Sequence, residues 1–212
     1  MALTLYLHPL SSYCHKALIA LYENATPFAP HVVNLGDPDS AAAFKAIWPM
    51  GKFPVLADAD RIIPESTAII EYLAARHPGP VDLIPAGIAL DVRMLDRFYD
   101  LHVHTHMQKI IGDRIRPADG KDPYGVEQAR AALDTALGIA EAQMASRHWA
   151  AGDAFTMADC AAAPPLFYID MVVAPLAPRY PRLAAYLGRL KERPSYARAL
   201  AEAEPYLQFV PR

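Results

Sequence analysis

The chain of 212 residues is 53% hydrophobic and 20% charged, with a formal net charge of −3 and only two cysteines. This balance describes a compact soluble protein with room for one large or two small domains. It excludes a disordered chain and a disulfide framework, and without a basic field it excludes a nucleic-acid partner. No apolar run reaches the length of a membrane span and no secretory leader is read ahead of the first strand, so no membrane contact and a reducing, cytoplasmic setting are expected.

Leu3, Leu5 and Leu7 alternate with Thr4 and Tyr6 up to His8-Pro9, which predicts a short buried strand. From about Ser12 the spacing of Ala17, Leu18, Leu21 and Tyr22 suits a helix, with Ser11 or Ser12 as its N-cap. A second strand is predicted over Phe28 to Leu35, and Asp37-Pro38-Asp39-Ser40 opens a helical stretch that stops before Trp48-Pro49. Phe53 to Ala57 and Arg61 to Ile63 flank a short polar turn and predict a hairpin. Ile69, Ile70, Tyr72 and Leu73 then give a helix ending near His77.

The Pro/Gly-rich stretch Pro78 to Gly87 is the best domain boundary, and everything beyond it has a helical pattern. One amphipathic helix is predicted from about Leu90 to Ile111, and a second over Val126 to Met144 with Ala129, Leu133, Ala136, Leu137 and Ala140 on one stripe. Thr156-Met157-Ala158-Asp159 has the spacing of a capping box, with Asp in place of the usual Glu or Gln. Pro164-Pro165 should kink or interrupt the helix that follows, and a last long helix covers about Leu183 to Glu192.

Three phrases carry chemistry: Ser11-Ser12-Tyr13-Cys14, Gly51-Lys52-Phe53-Pro54-Val55-Leu56, and Pro64-Glu65-Ser66-Thr67-Ala68-Ile69-Ile70. Together with Gly152 to Asp159, and in this order, they resemble the cytosolic glutathione transferase family over the whole chain. The resemblance implies an α/β thioredoxin-like N-terminal domain (1–78), a linker (79–88) and an all-α C-terminal domain (89–212) that contributes an electrophile pocket. It also implies a homodimer with glutathione as co-substrate and no metal. The activity implied is conjugation of reduced glutathione to small hydrophobic electrophiles, a detoxification reaction.

By this resemblance Ser11 is the catalytic residue. A helix N-terminus and a donated hydrogen bond both favour a thiolate over a thiol, and Ser11 stands where serine-type members place that hydroxyl. The register that tyrosine-type members use for a phenol falls on Leu7. Ser12 is a glutathione-binding residue that adds a second hydroxyl. Phe53, before a proline expected to be cis, would hold the cysteinyl unit through its main chain. Glu65 would accept from the γ-glutamyl ammonium, Ser66 at a helix start would grip its carboxylate, and Lys52 would face the glycyl carboxylate. Simple capping, by Ser11 and Ser12 at the first helix and by Glu65 and Ser66 at the later one, is the plainer alternative.

The electrophile pocket is assigned to Tyr13, Tyr99, His102 and His106, the last three placed on one helix face with Lys109 or Ile110. His104 falls on another face, near a position that contacts glutathione in some relatives. Metal binding by His102 and His106 is set aside because no third ligand is apparent. The serine pair is like that of zeta-type isomerases, although Tyr13 stands where those carry cysteine. A glutathione-dependent isomerase or a reductase/peroxidase is therefore an alternative, the latter opposed by the lack of cysteine at position 11. A non-catalytic interaction protein of the same fold is a further one. Trp48-Pro49 replaces a common Asn-Pro.

Overall fold

The computed structural model describes residues 3–211. The described chain forms two compact units. One holds the residues up to Leu83 together with Ser195–Leu207; the other holds Ile84–Pro194 and the residues from Gln208 onward.

In the first unit, β1 (Leu3–Leu7), β2 (Phe28–Val32), β3 (Val55–Asp58) and β4 (Arg61–Pro64) form a sheet in the order β2-β1-β3-β4. β1 is parallel to β2 and antiparallel to β3, which is antiparallel to β4. β2 ends at Val32 rather than Leu35, and β3 starts at Val55 rather than Phe53. The alternation read in β1 is real: Leu3, Leu5 and Leu7 are buried and Thr4 and Tyr6 half-buried. α1 (Ser12–Glu23) and α3 (Ser66–Arg76) pack against each other. Elsewhere Phe44 of α2 (Pro38–Ile47) joins Val33 and Val55 in a cluster flanked by Tyr6, Trp48 and Phe53. Gly51, at φ 62, takes a left-handed conformation that turns the chain after Trp48-Pro49 toward β3.

The second unit is helical. α4 (Ala89–Phe98) and α5 (Thr105–Arg114) are joined by a π-helical segment, Tyr99–His104, so the single helix expected over this stretch is continuous but has a shifted phase. α6 (Pro123–Gln143) packs on α5, and α7 (Met157–Tyr168) packs on α4 and on α8 (Pro181–Glu192). The stripe expected on α6, Ala129 to Ala140, is the one that is buried.

α7 is buried throughout Met157–Leu166. Its capping box is formed: Asp159 accepts from the Thr156 N–H at 2.8 Å and the Thr156 hydroxyl at 3.1 Å, as well as from the Ala150 N–H and the Tyr186 hydroxyl. Burial nevertheless raises the Asp159 carboxyl above its usual range, against the pull of these four donors. The expected break at Pro164-Pro165 does not occur. Both prolines lie inside α7, and the irregularity follows them as a π-helical segment at Ile169–Val173. Packing on every side of α7 overrides the loss of two main-chain donors.

The assignment of all of 89–212 to the helical part also needs correction. α9 (Pro194–Ala203) buries Ser195, Tyr196, Ala199 and Ala203. The Ser195 hydroxyl donates to Glu23, Tyr22 donates to Glu202 at 2.6 Å, and Arg198 lies 4.0 Å over the Tyr22 ring. These contacts attach Ser195–Leu207 to α1, whereas Arg114 holds the chain end in the helical unit through the Val172 and Pro211 carbonyls.

Candidate active site

Strand register gathers the three phrases at one edge of the sheet. Tyr6 pairs with Val55, so His8, two residues after, is level with Phe53, two residues before. Val55 pairs with Pro64, which brings Glu65 and Ser66 to the same level. Two helices, α1 and α3, therefore begin at one edge, each presenting the partial positive charge of its N-terminus there.

Ser11 is the N-cap of α1, with extended backbone, and its hydroxyl oxygen accepts from the Cys14 N–H at 3.2 Å. Capping uses a lone pair, so the hydroxyl hydrogen can still donate to another acceptor. The turn before it is tied three ways. Ser11 N–H donates to the His8 carbonyl at 2.9 Å, Leu10 N–H to His8 Nδ1 at 3.2 Å, and His15 Nε2–H to the Pro9 carbonyl at 2.6 Å. Burial lowers the pKa of half-buried His8. For His15, which is fully buried, burial brings it down to about 4, with small opposite effects from Pro9 and Glu202. Both imidazoles are therefore neutral near pH ~7.

Ser12 is 2% exposed, while Tyr13 is half-buried. Cys14 is fully buried. Burial pushes its thiol up to about 12, against smaller pulls from the Ser11 hydroxyl and the His8 backbone, so it stays protonated and unreactive.

Phe53-Pro54 is cis, as the sequence led us to expect. The Phe53 ring is held by Phe44 (centroids 6.2 Å) and lies parallel to His8 at 6.0 Å. Glu65 is the N-cap of α3 with φ 69, a left-handed conformation unusual for a residue with a side chain, and that side chain makes no capping bond. Such strain concentrates at functional positions. Ser66 is buried, whereas Glu65 and Lys52 are exposed, and neither of these two has an ion-pair partner among the described residues. Behind the edge, Lys16 is fully buried and donates to Thr67 in the first turn of α3 at 2.8 Å.

Nothing in the local sequence marks His8, His15 or Lys16 as part of the site. A histidine and a lysine inside an amphipathic helix look solvated until α9 covers that side, where Tyr196 packs edge-on against His15 at 6.2 Å.

The face drawn through Tyr99, His102 and His106 is not formed. Tyr99 is 1% exposed and in line with Val92, Leu95, Val103, Met107 and Ile110, which are all buried. Its exposure places it in the interior of the helical unit, where burial and the nearby Asp159 raise its phenol pKa. His104 is likewise buried. His102 is exposed and His106 half-buried; the pKa of His106 is lowered by burial and then by His102. No group of three or more metal-ligating side chains is present among the described residues. The helical unit also has a cavity of about 450 Å³ between α6 and the segment after α7, lined by Leu133, Leu137, Ile169, Val173 and Leu176 among others; none of the residues assigned from sequence lines it.

Two family models match the chain: the N-terminal domain of glutathione S-transferases over residues 5–81 and the C-terminal domain over residues 123–189. The chain is 31% identical to a glutathione S-transferase-like protein of Fusarium sp, over 79% of this chain and 76% of that one. It is also 28% identical to a stringent starvation protein A homolog of Coxiella burnetii, over 98% and 96% of the two. Among solved structures, a glutathione S-transferase from Methylobacterium radiotolerans in complex with glutathione sulfonate superposes with a TM-score of 0.83 at 27% identity, covering 94% of each chain.

Proposed function

The chain belongs to the glutathione S-transferase family, and from that premise we propose that it is a serine-type enzyme conjugating reduced glutathione to small hydrophobic electrophiles. The observation that carries this reading is the placement of the Ser11 hydroxyl at the N-terminus of α1, on the edge where α3 also begins.

The residues at this edge fit the tripeptide. Glutathione has two carboxylates and one ammonium; the edge offers one carboxylate without an ion-pair partner (Glu65), one such cation (Lys52) and the first amides of α3. When bound, glutathione supplies the thiol that becomes the nucleophile. Ser11 donates its hydroxyl hydrogen toward the sulfur, and the α1 N-terminus favours the anionic form. The main chain of Phe53 lies beyond the β3 ladder and pairs with an extended peptide. Glu65 holds the ammonium, Ser66 the adjoining carboxylate, and Lys52 the distal one. Ser12, buried in α1, supports the turn. Holding two reactants together supplies the rest of the rate.

Of the residues assigned to electrophile binding, Tyr13, His102 and His106 each keep accessible surface and Tyr99 does not. Disulfide exchange is disfavoured by the buried, protonated Cys14. Exposed Leu90, Met94 and Leu101, at 80%, 59% and 53%, support a homodimer that covers them. A cytoplasmic detoxification role agrees with the absence, among the described residues, of any helix long and apolar enough to cross a membrane.

The test is Ser11→Ala, assayed for glutathione affinity and for turnover with a panel of aromatic halides, enones and epoxides. Retained affinity with turnover lower by roughly ten-fold or more, the size of one hydrogen bond to a charged sulfur, supports the reading. Unchanged turnover overturns it.

A further inference from the structure

Two side chains hold the turn that carries Ser11: His15, through the Pro9 carbonyl, and His8, within the turn itself. His8 accepts twice, through its carbonyl from Ser11 N–H at 2.9 Å and through Nδ1 from Leu10 N–H at 3.2 Å. The same ring stacks on Phe53 with planes 21° apart and takes Tyr206 edge-on at 5.7 Å. One residue thus connects the loop bearing the hydroxyl with the residue that would pair with the tripeptide backbone.

We propose that His8 is a positioning residue for thiol activation: its Nδ1 fixes the Ser11 hydroxyl at the mouth of α1, and its ring fixes the main chain of Phe53. This rests on the glutathione chemistry proposed above. Accepting at Nδ1 requires a neutral ring with its proton on Nε2; a protonated ring would set two donors, Nδ1–H and Leu10 N–H, against each other. Partial burial of the ring favours the neutral form. The titratable side chain packed edge-on against it is Tyr206.

Two variants separate the two roles. His8→Asn keeps an acceptor for the Leu10 N–H, as asparagine does in turns, and loses the stack. His8→Phe keeps a ring for Phe53 and has no acceptor. Each protein is titrated calorimetrically with glutathione, and the pKa of the bound thiol is read from thiolate absorbance against pH. His8→Phe should bind glutathione but raise the bound-thiol pKa by roughly half a unit to one unit, the size of one weakened hydrogen bond. His8→Asn should leave that pKa near the wild-type value and weaken binding several-fold. An unmoved thiol pKa in His8→Phe, or the same shift in both variants, overturns the proposal. Should His8→Phe fail to fold, the ring nitrogens of wild-type His8 are read by NMR at neutral pH: an unprotonated Nδ1 supports it and a protonated Nδ1 overturns it. If wild type binds no glutathione, the functional reading falls and this one with it. If wild type binds and only the His8 effects are missing, this inference alone falls.

Discussion

Replacing His15 by glutamine removes a titrating group from beneath the Ser11 turn and leaves an N–H donor for the Pro9 carbonyl. Wild-type His15 is fully buried, and its pKa is lowered from 6.5 to about 4 chiefly by that burial. Above pH ~6.5 the ring is neutral in both folded and unfolded chains, so its contribution to stability is complete there. Below that the unfolded chain takes up a proton that the folded chain refuses, and stability is lost progressively until the folded pKa is reached. At roughly 1.4 kcal/mol per unit, the loss by pH ~4 comes to about 3 kcal/mol. This is a large share of an ordinary folding free energy of about 5–15 kcal/mol. Urea unfolding of wild type and His15→Gln at pH ~7 and ~4 isolates it, because the carboxylates common to both chains cancel in the difference. The variant should lose less stability than wild type over that interval, by about 3 kcal/mol. Parallel losses in the two proteins would refute the assignment of a buried neutral imidazole.

Other residues give further tests. Ser11→Ala should lower stability by about 1 kcal/mol through the lost cap and Ser11→Gly by only a few tenths, while both lose turnover equally; urea unfolding beside steady-state kinetics separates cap from catalysis. Glu65→Gln should raise the KM for glutathione by roughly ten-fold or more with kcat little changed, as expected for a charged contact made equally in ground and transition states. An unchanged KM would remove Glu65 from the site. Cys14→Ala should leave conjugation near wild type and reveal no thiol exchange with a small disulfide. A disulfide-reducing activity abolished by this substitution would favour a reductase.

Much of the first unit was legible because its signals are local. The alternation in Leu3–Leu7, the cap at Ser11, the Phe53-Pro54 loop and the start of α3 at Ser66 each need only a few neighbouring residues. Their convergence was not local: it follows from the pairing of Tyr6 with Val55 and of Val55 with Pro64. No local signal marks His15 and Lys16, because the element that buries one side of α1 is α9, near the other end of the chain. In the helical unit, even helical spacing put Tyr99, His102 and His106 on one face, and the π-helical segment Tyr99–His104 with the burial of Tyr99 separated them. Pro164-Pro165 misled for a related reason: propensity is a weak prior where a helix is packed on all sides.

The central claim is that a bound thiol is ionised at the head of α1, and proton release measures it directly. Glutathione is titrated into the protein near pH ~7 in buffers of different ionisation enthalpy. Heat that varies with the buffer, corresponding to the release of close to one proton per site, is the predicted result. Binding heat independent of the buffer, or no heat at all, would contradict the account.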